Sequence, residues 1–221
     1  MADVSGPLAY PAPTLVPLGD SALLIRFAAA LDEVANRAAI ALARRLEEEP
    51  VPGVVEIMPN LVSVLLRYDP LLVSLGTVAG EVRLRLSGLK AETGTARQWS
   101  IPTVFEGPDL DEVADMLELG RAEFVAAHNR STLRVLATGF APGFVYCGLH
   151  EGLTVPRRTE VRSLVPAGSV LFAAGQTAIA ATDMPTGWHV IGRTDFRNFD
   201  PAADPPTRLH GGDSVRFVVA P

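Results

Sequence analysis

The sequence predicts an α+β fold in two parts, a small N-terminal α+β sandwich followed by a C-terminal β-barrel. Three observations carry this. Residues 14–86 alternate short apolar strands with two segments of helical period. Residues 87–98 are polar and glycine-bearing, the composition of a domain boundary. Beyond Ser131, short apolar runs are separated by Gly and Pro up to the C-terminus, which argues a barrel or sandwich. The 221 residues are enough for one large domain or two small ones. The expected division is a disordered tail over 1–13, an N-terminal domain over 14–92 and a barrel over 93–221.

The first elements follow from turn chemistry. Leu15 to Phe27 reads as a hairpin, with Gly19-Asp20 at the turn and Ala22–Phe27 as its second strand. Over Asp32–Glu49, the residues Val34, Ala38, Ala41, Leu42 and Leu46 fall on one helical face. Asp32 suits the N-cap, and Pro50 with Pro52-Gly53 stops the helix. Val54–Pro59 and Ser63–Tyr68 read as strands, the second ended by Asp69-Pro70, and Ser74–Leu86 as a second helix. In the C-terminal part Trp99–Phe105 is a strand, and Asp109–Leu117 and Arg121–His128 are helices broken at Gly120. The remaining strands are Leu133–Thr138, Ser169–Ala173, Thr177–Ala181, Trp188–Ile191 and Ser214–Val219. Asp109, Asp111, Glu112 and Asp115 stand at a helix start, where carboxylates favour the dipole.

Composition narrows the function classes. Apolar residues make up 48% and charged residues 20%, as in a globular protein. A net charge of −6 disfavours a nucleic-acid binder, which needs cations to displace counterions from phosphate. The single cysteine, Cys147, cannot form an internal disulfide, and no Cys/His spacing suggests a zinc or other metal set. The start has no basic segment followed by an apolar one, and no apolar run reaches the roughly 18 residues of a membrane span. The expectation is a soluble, cytoplasmic chain.

Four stretches could carry chemistry. Thr138–Tyr146 holds two Gly, one Pro and three aromatics, either a rigid turn that lets backbone approach a ligand or a turn feeding the core. Arg157, Arg158 and Arg162 precede the turn Pro166–Ser169, and suit carboxylate or phosphate recognition, or an interface with an acidic partner. Gln176 and Thr177 offer an amide and a hydroxyl to a polar substrate, beside a second turn at Pro185–Trp188; turn chemistry with a buried Trp188 is the alternative. His128 closes a helix, as a structural group at its negative end or as an acid/base. Neither a phosphate loop nor a GxGxxG fingerprint is present.

The blocks GFAPGFVYCGL (139–149), VPRRTEVRSLVPAGSV (155–170), GQTAIA (175–180), PTGWHVIGRT (185–194), FDP (199–201) and GDSVRF (212–217) come in an order and spacing that resemble one family. It is the family of the 5-oxoprolinase B subunit, also known as allophanate hydrolase subunit 1, the KipI kinase inhibitor, or the carboxyltransferase C and D subdomain of urea carboxylase. LGDSALLIRF (18–27), EIMPNLVSVLLRYDP (56–70) and IPTVFEGPDLDEVA (101–114) resemble it too. Ala178, Ala180 and Thr186 depart from its pattern, at positions expected on the pocket rim.

The resemblance implies a cyclophilin-like barrel after the N-terminal α+β domain. It implies two partners, the 5-oxoprolinase C subunit (a protein like allophanate hydrolase subunit 2) and the 5-oxoprolinase A subunit. Together they would open 5-oxo-L-proline to L-glutamate with ATP, a hydrolase acting on a small amide or lactam, the chain being inactive alone. Two other activities fall within the resemblance. One is a urea carboxylase or allophanate hydrolase component, with biotin arriving on another protein; the other is a KipI-type inhibitor of a histidine kinase. The implied pocket is lined by His128, Phe140, Pro142, Phe144, Arg157, Gln176, Thr177 and Trp188. His128, Arg157 and Gln176 are its candidate catalytic residues, and Arg157 or Arg162 would neutralise a carboxylate or phosphate.

Overall fold

The computed structural model describes residues 10, 12–90 and 96–220. Its contacts divide the chain into two compact units, 1–95 and 96–221. The expected limits near 13 and 92 adjoin or fall on residues outside the described ones. Tyr10, within the segment read as a tail, sets its ring edge-on to Phe27 at 5.7 Å and donates its hydroxyl to Leu86 O at 2.8 Å.

The first unit runs β1 (Thr14–Leu18), β2 (Ala22–Arg26), α1 (Glu33–Glu48), β3 (Val54–Asn60), β4 (Ser63–Tyr68) and α2 (Leu75–Leu86). Its antiparallel sheet has the order β1-β2-β4-β3. Alternation along β2 and β4 turns Leu23, Ile25, Val64 and Leu66 into the core. There they meet Ala35, Ala38, Leu42 and Leu46 of α1 and Val78 and Val82 of α2. Both helices start where a side chain captures a free amide, Asp32 from Ala35 N at 2.8 Å and Ser74 from Thr77 N at 3.1 Å.

The second unit runs β5 (Gln98–Thr103), α3 (Leu110–Met116), α4 (Arg121–Arg130), β6 (Leu133–Thr138), β7 (Val145–Gly148), β8 (Arg162–Val165), β9 (Ser169–Ala173), β10 (Gln176–Ile179), β11 (Met184–Thr186), β12 (His189–Arg193) and β13 (Ser214–Val219). Seven strands form one sheet in the order β12-β9-β10-β7-β6-β13-β5, with only β13 and β5 parallel among its pairs. The sheet curls until its ends meet: Val104, just past β5, and Arg193 of β12 exchange two backbone hydrogen bonds of 2.9 and 3.0 Å. The α+β class and the barrel are as the sequence predicts.

The curled sheet has two apolar layers. Inside lie Val145, Cys147, Val170, Phe172, Ile179, Ile191, Val215 and Phe217, joined by Leu110 and Val113 of α3 and Phe124 of α4. Outside lie Phe144, Leu171, Ala173, Ala178, Ala180, Trp188 and Val190, packed with Val165 and Met184 from the β8–β11 ribbon. That ribbon is absent from the sequence reading. Ala178 and Ala180 are fully buried in the outer layer rather than at a rim, and Thr186 Oγ1 accepts from Trp188 N at 3.1 Å.

Candidate functional site

The turn between β6 and β7 sets up the outer face. Gly139 and Gly143 have φ of 123° and 70°. A Cβ at Gly143 would stand 2.5 Å from Phe199 Cβ and 2.9 Å from Ala181 Cβ, so only glycine fits. Asn198 locks the turn by donating from Nδ2 to Gly143 O at 2.9 Å. Phe140 is a non-glycine residue at φ 78°, and its side chain stays 78% exposed. Pro142 is exposed beside it. A bulky residue held in this region is a strain that the surroundings must maintain.

From Phe140 an aromatic row crosses the outer face. Phe140 meets Phe144 at 5.8 Å, Phe144 meets Tyr146 at 4.8 Å, and Tyr146 meets Trp188 at 5.9 Å, all edge-to-face. The Arg157 guanidinium lies over the Trp188 ring at 5.7 Å. Burial raises the Tyr146 pKa, and the Arg157 charge works against that rise. Tyr146 is missing from the implied pocket, although its place two residues beyond Phe144 in the chain is a signal that could have put it in this row.

The three arginines have different surroundings. Asp109 takes Arg158 Nη1 at 2.8 Å, the Arg162 guanidinium, and the Val190 backbone amide at 2.8 Å. Burial pushes the Asp109 pKa up, but Arg162, the Val190 amide and Arg158 outweigh it and hold the carboxyl below its usual range. Asp109 stands at the N-cap of α3 without a side-chain cap bond, and its carboxylate ties the arginine loop to β12. Glu112 adds a second partner for Arg158 at 3.3 Å, and Asp111 pairs with Arg121 at 2.6 Å. Arg157 is exposed, and no carboxylate among the described residues reaches it.

Gln176 and Thr177 are neighbours in β10 and therefore point to opposite faces. Gln176 faces outward with Ala178. Its cross-strand partners are Ala173 and Gly148, so the residues beside it are small. Extending the β12–β9 register by one residue puts Trp188 on the far side of Ala173. Gln176 is 8% exposed, and its Oε1 is buried with no hydrogen-bond partner.

Thr177 faces inward and is fully buried. Its hydroxyl lies 2.8 Å from His128 Nε2 and 2.8 Å from His150 Nε2, and His128 Nδ1 lies 2.8 Å from Asn129 Oδ1. One proton arrangement satisfies all three bonds: His128 Nδ1–H donates to Asn129, Thr177 donates to His128 Nε2, and His150 Nε2–H donates to Thr177. Burial lowers the His128 pKa to about 4, against the raising effect of Asn129. Burial and then the neighbouring His128 lower that of His150 to about 3. Both imidazoles are neutral at pH 7. Phe105, Phe124, Phe172 and Phe217 surround His128 at ring distances of 5.4–6.0 Å. His150 carries no signal of this role in sequence, because β7–β10 pairing brings it to a residue 27 positions away.

The outer face thus collects Phe140, Phe144, Tyr146, Trp188, Arg157 and Gln176. His128 and Thr177 belong to the interior, one strand thickness behind Gln176, and Arg162 is held by Asp109. Among the described residues, no group of three or more His, Cys, Asp or Glu is placed to hold a metal ion, and no helix is long and apolar enough to cross a membrane.

Residues 13–209 match the model of the carboxyltransferase domain, subdomain C and D. The chain belongs to this family. It is 36% identical to the B subunit of 5-oxoprolinase from Bacillus subtilis over 216 residues, 91% of this chain and 90% of that one. It is 37% identical to the B subunit of 5-oxoprolinase from Escherichia coli O157:H7 over 209 residues, 91% of this chain and 93% of that one. The crystal structure of TTHA0988 superposes with a TM-score of 0.81 at 37% identity; the match covers 90% of this chain and 40% of that longer one. A carboxyltransferase-domain member with this fold is what the six ordered blocks imply.

Proposed function

We propose that this chain is one component of an ATP-dependent 5-oxoprolinase, and that the outer face of its barrel receives the lactam together with a partner protein. The proposal draws on the names of the relatives at 36% and 37% identity. One observation carries it to the site: Arg157 is an exposed guanidinium seated on Trp188 with no acidic partner among the described residues, while Arg158 and Arg162 are held by Asp109. A 5-oxoproline molecule has a carboxylate for Arg157, a lactam N–H for the unpartnered Oε1 of Gln176, and a small ring for the wall of Phe144 and Trp188. Phe140 and Pro142 shape the rim. Thr177 and His128 act from behind, as positioning residues that fix β10. Among the described residues no lone nucleophile stands on this face, which favours a composite site completed by the C and A subunits of the enzyme.

The residues of this face do not fit a triphosphate: one unpaired guanidinium stands against an aromatic wall, without a glycine-rich phosphate loop. ATP therefore belongs to the assembled complex, in the cytoplasm, rather than to this face.

The test is steady-state kinetics of the assembled complex on 5-oxo-L-proline with Arg157→Ala. Losing a charge-assisted hydrogen bond costs on the order of 1.5–3 kcal/mol, roughly a tenfold to hundredfold drop in kcat/KM. Arg157→Lys restores only part, since an ammonium lacks the planar fork. Near-normal kcat/KM for Arg157→Ala in a saturated complex would remove Arg157 from the site.

A further inference from the structure

Tyr146 brings a hydroxyl to the outer aromatic row, and that hydroxyl makes no hydrogen bond among the described residues. The side chain is half-buried between Phe144 and Trp188, at ring distances of 4.8 and 5.9 Å. Strand register puts it on the same side of the sheet as Gln176. Along β7, Phe144, Tyr146 and Gly148 alternate outward; in β10, Gly148 pairs with Gln176 and Tyr146 with Ala178. Tyr146 and Gln176 are therefore diagonal neighbours on adjacent strands, a separation that aromatic and long side chains span.

Two small residues let the polar groups converge. A Cβ at Gly148 would stand 3.1 Å from Gln176 Cγ, so the Gln176 side chain leans over Gly148 toward the strand that carries Tyr146. Ala178, opposite Tyr146, is short and fully buried. Trp188 can then reach the Tyr146 ring although β9 and β10 lie between β12 and β7. Over Trp188 sits Arg157, whose guanidinium is 5.7 Å from the ring and whose charge acts on the Tyr146 hydroxyl. An amide oxygen, a hydroxyl and a guanidinium thus border one aromatic patch.

Each of the three suits a different part of a lactam acid. Arg157 takes the carboxylate and Gln176 Oε1 takes the ring N–H. A five-membered ring holds its amide cis, so the carbonyl leaves the ring on the same edge as the N–H and needs a donor there. We propose that the Tyr146 hydroxyl is this donor, and that it makes the outer face selective for small ring acids that carry a carbonyl. The inference deepens the reading of this face as the lactam site and rests on it. A phenol ordinarily titrates near pH 10, and burial raises Tyr146 further, so the proton is in place throughout the neutral range.

The test is competitive inhibition of ATP-dependent glutamate release by the assembled complex. Two probes share the carboxylate and lack the N–H: 3-oxocyclopentanecarboxylate keeps the carbonyl, and cyclopentanecarboxylate does not. With the wild-type chain the ketone should inhibit roughly threefold to tenfold more strongly, the range for one neutral hydrogen bond. Tyr146→Phe keeps the ring and its packing, and should bring the two inhibition constants together. Arg157→Ala should weaken both probes and keep their ratio. A ratio unchanged by Tyr146→Phe would overturn the inference and leave the lactam reading standing; it is the result expected if the Gln176 N–H₂ group held the carbonyl instead. Equal inhibition of the wild-type complex by the two probes, or none by either at millimolar concentration, would overturn it too. A wild-type complex that releases no glutamate from 5-oxo-L-proline would overturn the lactam reading, and this inference with it.

Discussion

Gln176 shows how much turns on one side chain. A buried carbonyl without a donor costs about 1–3 kcal/mol, and such a cost is kept where a ligand supplies the missing group. Gln176→Met retains the length and removes the polar atoms. The expected outcome is an unchanged or higher Tm by calorimetry, together with a severalfold lower kcat/KM in the complex. A lower Tm with normal kcat/KM would assign Gln176 to structure alone. The sequence pairs Gln176 with Thr177 in one expected pocket, and strand geometry separates them. Consecutive strand residues face opposite sides, so only one of the two can join the aromatic row. The strand was legible; which residue faced outward was not, because the barrel is apolar on both sides. Arg157 and Arg158 pose the same difficulty. Nothing in the run Pro156-Arg157-Arg158 tells which arginine Asp109, some 49 residues earlier, will claim.

At the level of elements, β10 is held from inside by two neutral histidines, and this has a pH signature. Both have folded pKa values lowered by burial, to about 4 and about 3, against an ordinary 6.5. The unfolded chain therefore binds protons that the folded one refuses. Their stabilising effect is complete above pH 6.5 and is lost as the pH falls from there toward 4 and 3. At pH 5 each should reduce stability by about 2 kcal/mol relative to pH 7. Urea unfolding followed in the second unit should show its midpoint falling steeply between pH 7 and pH 5, and a flat midpoint would contradict the buried network. Elements with a clear period, α1, α2, β2 and β4, were legible in the sequence because one face packs and the other is solvated. The β8–β11 ribbon was not, since its strands span only four and three residues and are held by each other and by the outer layer. The helix at Asp109 and its acidic start were legible too, but not that the Asp109 carboxylate also serves two arginines and a strand amide.

For the whole molecule, six ordered blocks were enough to place the chain in its family, because spacing between Gly- and Pro-bearing turns constrains a barrel more than composition does. The reaction is not written in the residues in the same way. Among the described residues, the outer face offers a cation, an unpartnered amide oxygen and an aromatic wall, but no lone nucleophile. On the proposed reading, partner subunits complete this face. The role of this chain in the reaction is tested by glutamate release from 5-oxo-L-proline, measured with the co-purified A and C subunits of the enzyme in the presence and absence of this chain. Release is expected only when this chain and ATP are both present, and none from the chain alone. Full ATP-dependent release without the chain, or turnover of urea or allophanate by the complete complex with 5-oxo-L-proline left untouched, would contradict it.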